Sequence, residues 1–105
     1  MTYNLTRYYR TKDNSCDILF GFKHCYDGWR AYILTPVDYF GLDDDCHTTH
    51  RFYDLENDLF YVCWDPLPDN LEDCKQIAGL WSELTLTYLR TGEDIDGQYQ
   101  RLYGG

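Results

Sequence analysis

The chain has 105 residues, a net charge of −9 and 18% aromatic residues, eleven of them tyrosines. That length reads as one domain, residues 1–105, with a core large enough to need neither disulfide nor metal, and eleven phenols exceed what such a core can bury with every hydroxyl satisfied. No run approaches roughly 18 consecutive apolar residues and no apolar or arginine-rich leader opens the chain, so the reading excludes a membrane span and a signal peptide and expects a soluble, cytoplasmic protein.

Met1 to Arg10 alternates Tyr3, Leu5, Arg7 and Tyr9 with Asn4, Thr6, Tyr8 and Arg10, the pattern of a strand. After a polar turn, Asp17 to Lys23 sets Ile18, Phe20 and Phe22 on one face and Leu19, Gly21 and Lys23 on the other. The run Cys25-Tyr26-Asp27-Gly28 predicts a hairpin turn into Trp29 to Thr35, where Trp29, Ala31 and Ile33 oppose Arg30, Tyr32 and Leu34. Pro36 ends that strand, and Val37 to Thr49 reads as the longest irregular stretch. Arg51 to Leu55 and Leu59 to Trp64 form a second expected hairpin about Glu56-Asn57-Asp58, with Phe60, Val62 and Trp64 opposing Leu59, Tyr61 and Cys63.

Asp69 to Gly92 is the one segment long and periodic enough to read as a long helix. Leu71, Cys74, Ile77, Ala78, Trp81, Leu84, Tyr88 and Leu89 share one arc, with Glu72, Gln76, Gly79, Glu83 and Arg90 opposite. Asp69 is the expected cap with Glu72 in capping-box register, and Gly92 the expected stop. Gly79, on the outer face, costs ~1 kcal/mol relative to alanine and suggests a close approach by a partner or another segment. Residues 93–105 read as a turn and a short docked or frayed tail, with Ile95, Tyr99, Leu102 and Tyr103 available to cover the helix overhang. The predicted fold is α+β: a four- to five-stranded antiparallel sheet with one long C-terminal amphipathic helix packed on one face.

Charge is divided along the chain: residues 1–30 carry +2 and residues 31–105 carry −11. Such a field opposes direct binding to nucleic acid and favours a basic protein surface. The carboxylates placed for that contact are Asp43, Asp44 and Asp45 in the long loop and Asp54, Glu56 and Asp58 around the second hairpin turn. The run Asp43 to His50, with Cys46 and His47, offers metal-ligand chemistry, but Cys16, Cys25, Cys46, Cys63 and Cys74 are odd in number and include no Cys-x-x-Cys pair. Free thiols, no metal and no cofactor are therefore expected. A thiol–imidazole pair drawn from Cys25 or Cys46 and His24, His47 or His50 is the natural catalytic alternative. No nucleophile elbow, phosphate-binding glycine loop or dinucleotide fingerprint accompanies it, and the chain is read as a non-enzyme. The terminal Gly104-Gly105 is like the tail of ubiquitin-like modifiers, but their β-grasp has strands after the helix, so the pair is read as coincidence.

In size, acidity, tyrosine content and absence of catalytic motifs, the chain resembles the small inhibitors that phages and mobile elements direct at host defence, including anti-CRISPR and DNA-mimic proteins. The resemblance is one of composition over the whole chain and transfers no residue. It implies a stoichiometric inhibitor whose acidic surface occupies a cationic nucleic-acid groove on an effector such as a CRISPR nuclease. An accessory or scaffold subunit, marked by an exposed apolar patch, and a cysteine or metal enzyme, marked by His47 or His50 in a pocket with a thiol, are the alternatives.

Overall fold

The computed structural model describes Met1 to Gly104, so Gly105 of the terminal pair lies outside the described residues. Five strands, β1 (Leu5–Arg10), β2 (Asp17–Cys25), β3 (Gly28–Ile33), β4 (Arg51–Asp54) and β5 (Leu59–Val62), form an antiparallel sheet in the order β1-β2-β3-β5-β4. Helix α1 (Cys46–Thr49) precedes β4, and α2 (Leu71–Thr91) and α3 (Ile95–Tyr103) follow β5. This is the expected α+β architecture, with all five strands in one sheet.

Alternation along the strands decides which face receives the helix. Ile18, Phe20 and Phe22 of β2, Ala31 and Ile33 of β3 and Val62 of β5 are buried beneath α2, together with Cys74, Ala78, Trp81 and Leu84 of the helix itself. Trp81 is the centre of that contact: it is 2% exposed and meets Phe20 edge to face at 6.1 Å. At 1.5 Å per residue the 21-residue helix is ~32 Å long, and it lies across β1, β2, β3 and β5.

Three expectations about α2 and its tail need correction. The N-cap is Asn70, whose side chain accepts from the Asp73 amide at 2.9 Å, while Asp69 accepts only from the Asn70 amide group. Gly79 does not face outward. It is buried against Tyr9 of β1, and a Cβ there would sit 2.8 Å from the tyrosine ring, so the close approach is made by the chain's own edge strand. Residues after Gly92 form a nine-residue helix capped by Asp94. Ile95 is buried as expected, but it is joined by Gln98, whose amide donates to the Leu84 and Glu93 carbonyls, whereas Tyr99, Leu102 and Tyr103 stay exposed.

The other face of the sheet carries no helix and is covered by aromatic side chains. Tyr3 folds over Gly21, where any Cβ would lie within 2.6 Å of its ring, and meets Tyr32 at 5.9 Å. Tyr32 then meets Tyr61 at 5.5 Å and Tyr61 meets Phe52 at 5.5 Å, a row running across β2, β3, β5 and β4. Tyr32 is left only 1% exposed by this cover.

Replacing Trp81 with alanine removes the largest side chain between the layers and is expected to cost ~3–5 kcal/mol. Urea denaturation should show a lower midpoint at an unchanged slope; an unaltered midpoint would contradict this packing.

Candidate functional site

The segment between β3 and β4 is held from inside by core side chains. Its reversal uses Phe40 and Gly41 at positive φ, which returns Leu42 to hydrogen-bond the Tyr39 carbonyl at 3.0 Å. Tyr39 is buried against Tyr88, and the Arg51 guanidinium lies 4.9 Å over its ring and 3.9 Å over that of Phe60. The Tyr88 hydroxyl donates to the Asp43 carbonyl at 2.7 Å, Arg51 Nη2 to the Asp44 carbonyl at 2.8 Å, and the Trp81 indole N–H to the Thr49 carbonyl at 2.9 Å. Arg51 Nε also donates to Thr49 Oγ1, which in turn donates to the Asp45 carbonyl. These inward carbonyls are thus satisfied by protein donors, as burial requires.

The carboxylates of the same residues point the other way. Asp43, Asp44 and Asp45 are exposed. Asp45 caps α1 by accepting from the Thr48 amide at 2.7 Å, and Asp43 accepts from the Asp45 amide and the Thr48 hydroxyl. No hydrogen bond or ion pair to the Asp44 carboxylate is present among the described residues. The start of α3 joins this end of the molecule: His50 Nε2 lies 2.7 Å from Asp96 Oδ1. Burial, then the charges of Asp43, Asp94 and Asp45, raise the pKa of the Tyr88 hydroxyl. The docking of α3 beside α1 thus brings Asp96 to the end of the loop that carries Asp43, Asp44 and Asp45.

The second expected triad lies at the opposite end of β4. Asp54 is turned inward, its side chain 10% exposed. It accepts from the Asn57 side chain at 2.8 Å and the Tyr32 hydroxyl at 2.8 Å, and these bonds, Asn57 foremost, hold its pKa below the ordinary aspartate range. Asp58 accepts from the Tyr53 hydroxyl, and Glu56 is exposed. Strand β4 thus separates the six predicted residues into two groups, and one of them, Asp54, is turned inward rather than presented to solvent.

Asp54 also belongs to a polar cluster on the uncovered face. Arg30 lies 4.5 Å over Tyr61, pairs with Asp27 at 2.9 Å and Asp54 at 3.8 Å, and donates to the Tyr32 hydroxyl at 3.1 Å. The alternation placing Arg30 and Tyr32 opposite Ala31 and Ile33, and Tyr61 opposite Val62, is the signal from which this cluster was readable. Asp94 and Asp96 carried no such signal, because only the docking of α3 beside α1 brings them to the loop.

All five cysteines are free. His50 and Cys63 line one cavity of about 360 Å³ with Asp96, and the Cys63 amide bonds the His50 carbonyl at 2.8 Å. Among the described residues no hydrogen bond joins the thiol to the imidazole. Burial, then Asp65, Asp96 and Cys46, push the Cys63 thiol up, the opposite of an activated nucleophile. His47 and Cys46 are exposed, and His24 stacks on Trp29 at 5.1 Å. Among the described residues no three His, Cys, Asp or Glu side chains are grouped to hold a metal ion. No protein-family model, curated protein or solved structure matches the chain.

The α1 cap titrates. The Thr48 amide, then its hydroxyl, hold the Asp45 carboxyl below the ordinary aspartate range. A depressed folded pKa gives stability that is complete above the unfolded value of about 3.9 and is lost as pH falls through the folded one. Asparagine caps without titrating, so Asp45→Asn should flatten the acid side of a urea-midpoint profile below about pH 4 while matching the wild type at neutral pH. Superimposable profiles would remove this role from Asp45.

Proposed function

We propose that the chain is a non-enzymatic, protein-binding inhibitor of the anti-CRISPR or DNA-mimic type. Its acidic end occupies a cationic groove that a nuclease effector uses for nucleic acid. The observation that carries this reading is the inside-out loop: the Asp43 and Asp44 carbonyls are bonded to core donors, while the carboxylates of Asp43, Asp44 and Asp45 face solvent. Carboxylates fixed in this way lose little freedom on binding, which favours affinity, and their field speeds approach to a basic surface. Asp94 and Asp96 extend the acidic end beyond the loop, and Glu56 and Asp58 form a separate group beyond β4. Asp54, committed to Tyr32 and Asn57, is left out of the contact.

The accessory-subunit reading draws support from a different feature, the exposed Tyr99, Leu102 and Tyr103 of α3. The two readings differ in their response to salt. Asp44 is the residue to change, because its carboxylate makes no bond within the described chain. Partner retained from a bacterial lysate by the wild-type protein should be released by added DNA or RNA and by raised ionic strength. Asp44→Lys should bind it about tenfold more weakly at low salt, with an unchanged melting temperature. Salt-insensitive capture that tolerates Asp44→Lys would reject the mimic and favour the α3 surface.

A further inference from the structure

A groove of about 630 Å³ runs along the flank of α2 between the end of β1 and α3. Leu80, Leu84, Leu102 and Tyr103 give it an apolar lining, and Lys12, Lys75 and Arg101 supply three cations along it. Glu83, its one carboxylate, accepts from the Tyr9 hydroxyl and the Lys12 amide through Oε2. The partners of Lys75 and Arg101, Glu72 and Glu93, are not among the lining residues, and the Lys12 ammonium has no ion pair among the described residues. In a chain of net charge −9 this groove concentrates a third of the nine basic side chains. Its chemistry calls for an apolar side chain flanked by carboxylates.

The β4–β5 turn of the same chain presents that chemistry. Leu55 is 84% exposed at its tip, with Glu56 and Asp58 exposed beside it. Strand order places β1 and β4 at opposite edges of the sheet, so the groove beside β1 and the turn after β4 cannot meet within one molecule and leave each other free in two. We propose that a second copy of this chain seats Leu55 in the groove, with Glu56 and Asp58 facing Lys12, Lys75 and Arg101. The contact is head to tail, between two different patches, so it propagates beyond a dimer. Global repulsion between copies is screened over about 8 Å at physiological ionic strength, whereas close ion pairs and the buried leucine persist. Self-association therefore needs salt, the reverse of what the proposed inhibitory contact shows, and the two fail independently.

Sedimentation velocity tests this with full-length protein. The wild type should sediment faster as concentration rises at physiological ionic strength, without a plateau at the dimer. Leu55→Asp leaves the groove intact but removes the plug, and Lys12→Glu with Lys75→Glu does the converse. Each variant alone should remain monomeric with an unchanged circular dichroism spectrum, and an equimolar mixture of the two should form a discrete one-to-one dimer. A wild type that stays monomeric throughout overturns the proposal. So does association that survives in either variant, or a mixture that fails to pair while the wild type associates.

Discussion

The Trp81 indole joins two parts of the molecule that sequence separates widely. Its ring fills the space between α2 and the sheet against Phe20, and its N–H holds the Thr49 carbonyl at 2.9 Å. A phenylalanine would supply much of the first contact and none of the second. Because the long loop ends at Thr49, the position of α2 on the sheet also fixes where α1 and the preceding aspartates stand. Tyr88, two helical turns later, repeats the arrangement at Asp43, and Arg51 completes it at Asp44. The acidic end is thus a consequence of core packing: inward hydrogen bonds leave the carboxylates of Asp43, Asp44 and Asp45 no direction but outward.

The uncovered sheet face solves a different problem. A two-layer domain with one long helix leaves half its sheet without a partner layer, and the chain covers it with Tyr3, Tyr32, Tyr61 and Phe52. Tyrosine suits the position because its ring covers backbone while its hydroxyl reaches a polar group. The Tyr32 hydroxyl does so at Asp54, beside Arg30. Part of the tyrosine content therefore serves this cover and need not be ascribed to a binding surface.

Periodicity made the architecture legible. The alternation of Ile18, Phe20 and Phe22 and the helical arc through Cys74, Ala78, Trp81 and Leu84 both describe faces that are buried as a whole, so position in sequence suffices to identify them. The features that escaped it depend on contacts between distant segments. Gly79 lies opposite the apolar arc, and it is buried because β1 reaches it with Tyr9. Asp54 looked like one more surface carboxylate because nothing in its neighbours announces Tyr32, 22 residues earlier. The loop from Val37 to Thr49 read only as an irregular stretch because it has no period, whereas its attachment runs through backbone carbonyls that sequence does not display. Asp69 and Asn70 are both good capping residues, and only the chain direction at the helix entrance decides between them.

The hold of the core on the acidic loop is tested most directly by amide hydrogen exchange in the wild type and Trp81→Phe. The substitution keeps a ring against Phe20 and removes the donor to Thr49. Protection should fall selectively at Thr49 and His50, whose amides bond the Asp45 and His47 carbonyls, while the paired amides of β2 and β3 keep theirs. Loss of protection spread evenly over the sheet, or none at Thr49 and His50, would contradict a loop positioned by that bond.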